Sequence, residues 1–451
     1  MKTALIILAA GKGTRMNSDL PKVLHPLAAA PLLAHAMRAG AALEPERTVV
    51  VAGHGAALVR KAALEYDATV SVVEQTEQLG TAHAAAQARD ALAGFDGTAI
   101  VLFGDTPFVR PETLRAMTDA RAQGNDVVIL GFEAADPGRY GRLVMSGGSL
   151  ERIVEYKDAS EAERRISLCN SGVLACDATL LFELIDATGN DNASGEYYLT
   201  DVVGLARARG LSATAVTCDE SETLGINTRA ELAGAEAAFQ TRARAAAFEN
   251  GVTMPAPDTV HFAIDTEIGR DTVIEPNVVF GPGVTVESGA CIRAFSHLEG
   301  CHVARGGTVG PYARLRPGAE LAEDVRIGNF VEVKNAQIGC GTKVNHLSYI
   351  GDATLGSATN VGAGTITCNY DGVMKHHTHI GNNVFIGSNT MLVAPVHVGD
   401  HAMTGSGSVI TSDVEPEALA LARAPQVEKP GMATKLLQML KARKAQQQRG
   451  S

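Results

Sequence analysis

Residues 8–22 read LAAGKGTRMNSDLPK, and this stretch decides the fold of the chain. It follows a short apolar run at residues 4–7, which predicts a buried β-strand. Gly11 and Gly13 carry no Cβ, so the turn after the strand can bring backbone N–H groups close to an anion. A glycine turn between a strand and a helix-like segment therefore predicts a binding site for phosphate groups.

Two common phosphate-binding loops do not match this stretch. A dinucleotide-binding loop has the pattern G-x-G-x-x-G, but Met16 stands at its third glycine position. A P-loop ends in Gly-Lys followed by Ser or Thr, whereas Lys12 is followed by another glycine. What remains is G-x-G-T-R-M with a later Pro-Lys pair, in which Arg15 and Lys22 are fixed cations. This motif resembles the signature of the nucleoside-diphosphate-sugar pyrophosphorylases; a tight turn with incidental charges is the alternative.

Length and composition predict a soluble protein with more than one domain. At 451 residues the chain is too long for one ordinary core. Its net charge of −11 offers no general basic field, so we expect no nucleic-acid partner. The seven cysteines form no C-x-x-C pair, which favours free thiols in a reducing compartment. With no charged leader before the first strand and no apolar run of about 18 residues, we expect a cytoplasmic protein without membrane insertion.

The first half of the chain alternates apolar runs with helical stretches rich in Ala and Leu. This alternation predicts βαβ units around a mostly parallel sheet, with the ligand site outside the carboxyl ends of the strands. The clearest strands are residues 48–52, 69–73, 99–103 and 127–131. The motifs follow that rule, because the glycine loop comes after the first strand and Gly104-Asp105 comes after residues 99–103.

Beyond residue 229 the pattern changes twice. Residues 229–250 are rich in Ala, Glu, Arg and Gln and end at Asn-Gly, so they predict a long linker helix. Apolar residues then recur every six positions at Ile268, Ile274, Phe280, Val286 and Ile292, at Ile338, Val344 and Ile350, and at Ile380, Ile386, Leu392 and Val398. A hexapeptide period predicts a parallel β-helix; a coincidental period in a β-sandwich is the alternative. We therefore expect domains at residues 1–228 and 251–451, joined by a helix at 229–250.

One segment interrupts the repeat. The period breaks after Val361, and CNYDGVMKHHTH at residues 368–379 intervenes before Ile380 restores it. A solenoid gains no packing from such an excursion, so a functional loop is predicted. The basic tail from about residue 416 fits either an exposed helix or a contact with phosphates, and residues 445–451 are predicted to be disordered.

Nearly the whole chain resembles the bacterial bifunctional N-acetylglucosamine-1-phosphate uridyltransferases and glucosamine-1-phosphate acetyltransferases. The resemblance implies an α/β Rossmann-like nucleotidyltransferase domain joined by a long helix to a left-handed parallel β-helix. It implies acetylation of glucosamine 1-phosphate by acetyl-CoA. Uridylyl transfer from UTP to N-acetylglucosamine 1-phosphate then gives UDP-N-acetylglucosamine, a precursor of peptidoglycan and lipopolysaccharide. It also implies a homotrimer with the acetyltransferase sites between subunits.

For the first domain, a strand-end Asp105 suits Mg²⁺, although such a residue often only caps a helix. The resemblance adds Asn227 as a second ligand and gives Lys22 and Arg15 catalytic roles. It assigns uracil to Gln75, since an amide can pair with both a carbonyl and an N–H. The other implied contacts to UTP and the product are Leu8, Ala9, Ala10, Gly11, Gly80, Thr81, Phe103, Gly104, Gly141, Glu155 and Asn170. Phe103 and the Ser after Asn170 replace a Tyr and a Thr of the family motifs, which are mild departures.

For the repeat domain, the resemblance implies that His346 removes a proton from the acceptor amine, as histidine can near neutral pH. A structural histidine is the alternative, and Glu332 is the expected orienting partner. The implied acceptor contacts are Arg316, Lys334, Tyr349, Asn360 and, from a neighbouring subunit, Lys375. The implied acetyl-CoA contacts are Ala363, Asn369, Tyr370, Ser388, Ser406 and Arg423. The family often has Ala at the position of Ser406, and the cluster of His376, His377 and His379 does not read as a metal site.

Two other hypotheses compete with a bifunctional enzyme. The first is a single-activity sugar nucleotidyltransferase whose repeat domain is structural; His346 and the loop at Asn369 argue against it. The second is a non-catalytic scaffold like the related subunits of translation-initiation exchange factors. Intact Lys22, Asp105 and His346 argue against that hypothesis.

Overall fold

The computed structural model describes residues 1–449 and divides them into two compact units. The first comprises Met1–Ala246 and Phe262–Asp265, and the second comprises Ala247–His261 and the described residues from Thr266 onward. In this part of the chain no helix is both long and apolar enough to cross a bilayer. All seven cysteines are free thiols.

The first unit is an α/β structure built on a twisted sheet. Its strands are β1 (Thr3–Ala9), β2 (Pro26–Leu27), β3 (Ala30–Pro31), β4 (Arg47–Ala52), β5 (Ser71–Glu74), β6 (Thr98–Phe103), β7 (Val127–Glu133), β8 (Arg142–Ser146), β9 (Ser149–Val154), β10 (Leu168–Asp177) and β11 (Ala213–Cys218). Its helices are α1 (Leu32–Ala41), α2 (Ala56–Tyr66), α3 (Thr81–Ala86), α4 (Pro111–Ala122), α5 (Ala178–Asp186), α6 (Asp201–Ala208) and the start of α7 (Arg229–Glu249).

The sheet confirms the predicted βαβ arrangement and places the glycine loop at its centre. Its strand order is β11-β7-β10-β6-β1-β4-β5, and β1 runs parallel to both β4 and β6. The chain places β4 and β5 on one side of β1 and β6 on the other. The loop after β1 therefore lies at the point where the strand order reverses, which is where ligand sites form in such sheets. The sequence did not predict the antiparallel β10 or the β8–β9 hairpin beside it.

Both faces of β1 are buried, as expected for a central parallel strand. One face packs against a cluster that includes α3, α5 and α6, and it presents Ala4, Ile6 and Leu8. The other packs against a cluster that includes α1, α2 and α4, and it presents Leu5, Ile7 and Ala9. The loop that follows therefore starts from a strand that is buried along its whole length.

The second unit is a parallel β-helix followed by a helix, α8 (Met432–Arg449). Its strands are β12 (Glu267–Ile268), β13 (Val273–Ile274), β14 (Val279–Phe280), β15 (Val284–Val286), β16 (Cys291–Ile292), β17 (His297–Leu298), β18 (Cys301–Val303), β19 (Thr308–Val309), β20 (Arg314–Leu315), β21 (Ala319–Leu321), β22 (Arg326–Asn329), β23 (Glu332–Ile338), β24 (Lys343–His346), β25 (Tyr349–Leu355), β26 (Asn360–Val361), β27 (Ile366–Cys368), β28 (Thr378–Ile380), β29 (Phe385–Ile386), β30 (Met391–Val393), β31 (Val396–Val398), β32 (Met403–Thr404), β33 (Val409–Ile410) and β34 (Leu419–Ala420).

The hexapeptide prediction is confirmed by where its apolar residues lie. Most coils return after 17 or 18 residues, as where Val286 pairs with Val303 and Val303 pairs with Leu321. Of the twelve repeat positions named from the sequence, eleven are at most 3% exposed and Ile268, in the first coil, is half-buried. The period of six therefore fills the interior of the β-helix.

The segment that interrupts the repeat and the C-terminal tail both differ from what the sequence predicted. Thr367 is fully buried and takes the inward position after Val361, so the excursion is residues 369–377 rather than 368–379. A bridge between Tyr370 and Lys375 folds it back on itself. Helix α8 continues through Arg449, so the prediction of disorder is wrong for residues 445–449; the last two residues lie outside the described part.

Candidate active sites

The glycine loop places Lys22 at the centre of the first site. Gly13 has a left-handed backbone, with φ of 59°, and a Cβ there would lie 2.5 Å from the Cβ of Lys22. Only glycine therefore lets the loop pack against this lysine. The Lys22 Nζ donates hydrogen bonds to Asp105 Oδ2 and, at 3.0 Å, to Asn227 Oδ1. Arg15 is exposed on the same loop.

The two predicted metal ligands are brought together by a backbone hydrogen bond. Ile226 donates its N–H to the carbonyl oxygen of Asp105 at 3.0 Å, which sets Asn227 beside that residue. Both side-chain oxygens accept from one cation, the Lys22 ammonium. Two protein oxygens suit a divalent ion that also takes phosphate oxygens and water. Within residues 1–449 no cluster of three or more His, Cys, Asp and Glu side chains could hold a metal ion.

A cavity of about 340 Å³ opens beside Lys22. It brings together ten of the residues expected to contact UTP, namely Leu8, Ala9, Ala10, Gly11, Lys22, Gln75, Gly80, Thr81, Phe103 and Asp105. Gln75 is buried, and its Nε2 donates to the carbonyl oxygen of Gly80 at 3.2 Å. The sequence missed Gln78, whose Nε2 donates to the carbonyl oxygen of Ala10 at 3.0 Å and so holds the loop after β1.

A second cavity, of about 290 Å³, adjoins the first and shares Thr81 and Phe103 with it. Its lining includes the three residues expected to hold the sugar, which are Gly141, Glu155 and Asn170. The sequence missed other polar lining residues, namely Arg139, Tyr140 and Thr200. The residues predicted to bind UTP and the sugar therefore line two adjoining cavities, which extend from Lys22 to Asn170.

Glu155 is the electrostatically unusual group of this second cavity. Burial raises the pKa of its carboxyl above the ordinary value, although a hydrogen bond from Thr200 acts in the opposite direction. Thr200 Oγ1 donates to Glu155 Oε1 at 3.2 Å. A Cβ on Gly141 would lie 3.3 Å from the same oxygen, so this glycine leaves the carboxylate room to meet a ligand.

In the second unit, His346 ends β24 and is exposed. Its Nδ1 donates to Asn329 Oδ1 at 2.7 Å, and Asn329 pairs with it in register from the coil before. Glu332 was the expected partner, but its Oε1 instead accepts from Arg316 at 2.8 Å. That expectation is wrong, because the side chain one full coil earlier lies directly beneath the imidazole.

A ladder of backbone hydrogen bonds connects His346 with the expected acetyl-CoA residues. Gly364 donates to the carbonyl oxygen of His346, Asn389 to that of Ala363, and Gly407 to that of Ser388, at 3.2, 2.6 and 2.8 Å. Arg423 then donates to the carbonyl oxygen of Ser406 at 2.6 Å. The residues that line up on this corner with His346 are therefore Ala363, Ser388, Ser406 and Arg423. Ser406 meets Arg423 through its backbone carbonyl oxygen, a contact that an Ala at this position would also make.

Three cations expected at the acceptor phosphate lie close together in one chain. The proximity of Lys375, and then of Arg316, lowers the pKa of the Lys334 ammonium. Lys375 was expected to act on a neighbouring subunit's site, but within this chain it lies beside Lys334. Tyr349 pairs with Glu332 on the preceding coil, and Asn360 pairs with Lys343, three residues before His346.

The excursion is anchored by a carboxylate that the sequence did not reveal. Asp352 is buried and accepts from Asn335 Nδ2, at 2.6 Å, and from Asn369 Nδ2. Burial opposes ionisation, but these hydrogen bonds and the nearby lysines hold the pKa of Asp352 below its usual value. Tyr370 is exposed and donates to the carbonyl oxygen of Gly372 at 2.6 Å. Asn369 therefore has a structural partner as well as its expected contact with the coenzyme.

His376 and His377 are held by protein groups. His376 Nε2 lies 2.7 Å from Asp371 Oδ2, and His377 Nε2 lies 2.9 Å from Thr354 Oγ1. His376 and His377 are therefore polar residues of the excursion, whereas His379 lies in β28, so the expectation of a loop position is wrong for that residue.

A glycine loop and a strand-end aspartate at the switch point of an α/β sheet are typical of a nucleotidyltransferase. A hexapeptide β-helix with an exposed histidine is the scaffold of an acyltransferase. Comparison agrees, since a MobA-like NTP transferase domain matches residues 5–169 and a bacterial transferase hexapeptide repeat matches residues 265–300 and 377–412. The chain belongs to the family of the bifunctional protein GlmU.

The relatives that show this family match the chain from end to end. The bifunctional protein GlmU of Roseobacter denitrificans is 78% identical over 451 residues, covering 100% of both chains. Those of Ruegeria pomeroyi and Ruegeria sp. TM1040 are 71% and 70% identical, again covering 100% of each. The chain is therefore a bifunctional enzyme of UDP-N-acetylglucosamine synthesis with uridyltransferase and acetyltransferase activities. The single-activity and scaffold hypotheses are set aside.

Proposed function

We propose that the two activities are divided along the chain, with uridylyl transfer at residues 1–228, acetyl transfer at residues 251–451 and a linking helix at 229–250. The observation that supports this most is the meeting of Lys22, Asp105 and Asn227 at one point, next to two connected cavities. The acetyltransferase groups gather instead around His346. Each half thus has its own set of anion-binding groups.

In the first site, Asp105 and Asn227 hold the divalent ion, which we propose to be Mg²⁺. When bound, this ion neutralises negative charge on the phosphates of UTP. Lys22 and Arg15 add positive charge there, and Gln75 pairs with the uracil edge. Glu155 accepts hydrogen bonds from sugar hydroxyls, and Asn170 binds the N-acetyl group. An oxygen of N-acetylglucosamine 1-phosphate then attacks the α-phosphorus in line, and pyrophosphate leaves.

In the second site, His346 acts as the general base. Because its Nδ1–H is donated to Asn329, its Nε2 carries the lone pair that takes a proton from the ammonium of glucosamine 1-phosphate. The freed amine attacks the thioester carbonyl of acetyl-CoA, Ala363 N–H faces the oxyanion, and the thiol of coenzyme A leaves. Arg316, Lys334 and Lys375 bind the acceptor phosphate. The remaining contacts are Tyr349 and Asn360 for the sugar, and Asn369, Tyr370, Ser388, Ser406 and Arg423 for the coenzyme.

We propose a homotrimer formed through the β-helix. An exposed apolar stripe supports this, in which Phe295 stacks on Tyr312 with ring centroids 4.8 Å apart and Tyr312 on Phe330 at 5.3 Å. Leu347, next to His346, is 62% exposed. Patches of this kind are typical of interfaces, so a second copy on this stripe would lie beside the catalytic histidine. We also propose that the enzyme is cytoplasmic, which its free thiols and its substrates support.

Two substitutions test the division of labour. His346→Ala should abolish thiol release from acetyl-CoA and glucosamine 1-phosphate and leave pyrophosphate release from UTP unchanged. Asp105→Ala should do the reverse. Circular dichroism and sedimentation serve as controls for folding and assembly. If either variant lost both reactions while still folded as a trimer, the proposed division would be wrong.

A further inference from the structure

The first turn of α7 contacts both the metal-ligand segment and the glycine loop of the nucleotidyl site. Neither Arg229 nor Glu231, which lie in this turn, belongs to the expected set of site residues. Glu231 Oε2 accepts from the backbone N–H of Asn227 at 2.6 Å and from that of Thr228 at 3.1 Å. Thr228 Oγ1 in turn accepts from the N–H of Glu231 at 3.2 Å. This is a capping box that reaches one residue further back than the helix cap itself.

Arg229, the first residue of α7, binds the opposite side of the site. Its Nε donates to the carbonyl oxygen of Met16 at 3.3 Å, and its Nη1 donates to His25 Nδ1 at 3.1 Å. Met16 ends the glycine loop, and His25 follows the short turn that carries Lys22. Because a guanidinium only donates, His25 Nδ1 accepts this bond. Burial, and then the charge of Arg229, lower the pKa of His25, which is consistent with that role.

We propose that this turn is a positioning device in which Glu231 fixes Asn227 as a metal ligand and Arg229 fixes the glycine loop at a set distance from it. The inference rests on the proposed role of Asn227. Asp105 follows a buried strand and is positioned by the sheet, whereas Asn227 precedes a helix and is held by the Ile226–Asp105 backbone hydrogen bond together with Glu231. Glu231 and Arg229 are positioning residues, since each acts through a neighbour.

The test uses the full chain, with Mn²⁺ titrated in the presence of UTP and followed by electron paramagnetic resonance. Glu231→Ala should weaken Mn²⁺ binding about tenfold and raise the Mg²⁺ concentration for half-maximal uridylyl transfer by a similar factor. Glu231→Gln keeps an accepting side-chain oxygen. It should therefore restore most of the Mn²⁺ affinity and bring the Mg²⁺ concentration for half-maximal uridylyl transfer back towards that of the wild type. Arg229→Ala should raise the KM for UTP. Acetyl transfer by the same preparations should be unchanged, and an unchanged far-ultraviolet circular dichroism spectrum of the full chain shows that the first unit is folded.

A matched control separates positioning from helix stability. Ala233→Gly, at an exposed site further along α7, weakens the helix without removing a contact to Asn227 or Met16. If it weakened Mn²⁺ binding as much as Glu231→Ala does, or if Glu231→Ala bound Mn²⁺ normally, the inference would be overturned. Asn227→Ala distinguishes a failure of the proposed metal site from a failure of the positioning role. Unchanged Mn²⁺ binding in that variant would refute the metal site itself, whereas weakened binding there with normal binding in Glu231→Ala would refute only the positioning role.

Discussion

His346 Nδ1 and Asn329 Oδ1 lie 2.7 Å apart, on adjacent coils of the β-helix and in direct register. An amide oxygen only accepts, so the Nδ1 must carry its proton and the Nε2 must carry the free lone pair. The stacking of two coils therefore selects the tautomer that a general base needs.

Asn329→Ala should lower the kcat of acetyl transfer about tenfold to a hundredfold, because the imidazole would lose both its orientation and its preferred tautomer. The KM for acetyl-CoA should change little, since Asn329 lies one coil before His346 whereas the expected coenzyme residues lie on the coils after it. Steady-state kinetics of thiol release measure both values. Glu332→Gln is the informative comparison: an equal loss of kcat with an unchanged KM for glucosamine 1-phosphate would contradict the assignment of Asn329 as the partner.

Glu155 should make uridylyl transfer dependent on pH. Since burial raises its pKa, this carboxyl takes up a proton at a higher pH than an exposed glutamate does. Only the ionised carboxylate accepts hydrogen bonds with both oxygens. The KM for N-acetylglucosamine 1-phosphate should therefore rise as the pH falls towards the ordinary value of 4.5, while the KM for UTP stays constant.

Glu155→Gln should raise this KM at neutral pH and flatten its dependence on pH. A folded-state pKa that is raised means that the ionised form costs stability above that pKa. The substitution should accordingly leave the melting temperature at pH 7 unchanged or higher. A pH profile of the variant that matched wild type would show that another group titrates.

Phe262 should stabilise the first unit, although it lies more than thirty residues along the chain after Ile226, another buried residue of that unit. Its side chain is 5% exposed, and its backbone exchanges two hydrogen bonds with Gln240, at 2.8 and 2.7 Å. Phe262→Ala should cost about 3–5 kcal/mol and should lower the temperature at which uridylyl transfer is lost. Acetyl transfer after the same heating should persist. Phe248→Ala, at a site 47% exposed, is the control and should leave both activities unchanged.

The sequence predicted those parts of the molecule that depend on local patterns. The glycine loop, the strand-end Asp105 and the hexapeptide positions each follow from spacing along a few residues. Asn329 was missed, but a usable pattern was present, because a coil length of 17 places it directly below His346. The return of residues 262–265 to the first unit has no such pattern, since it depends on packing between distant segments.

The position of Lys375, at the acceptor site, is another feature that spacing along the sequence did not predict. Nothing in the spacing of residues 369–377 indicates that Tyr370 and Lys375 form a bridge, or that this fold brings Lys375 beside Lys334 of its own chain. An excursion with no repeat has no periodicity to read. Its start is anchored by Asp352, which holds Asn369 from the coil before.

Lys375→Ala should raise the KM for glucosamine 1-phosphate about tenfold or more, because a charge-assisted hydrogen bond to the phosphate is lost. The KM for acetyl-CoA should be unchanged. Met374→Ala, at the neighbouring exposed site, is the matched control without a change in charge. Mixed trimers then decide which chain supplies the lysine. If Lys375 serves its own chain, trimers that combine His346→Ala with Lys375→Ala subunits contain no intact acetyl site and recover no activity. Recovery on mixing would show instead that a subunit's Lys375 completes the site of its neighbour.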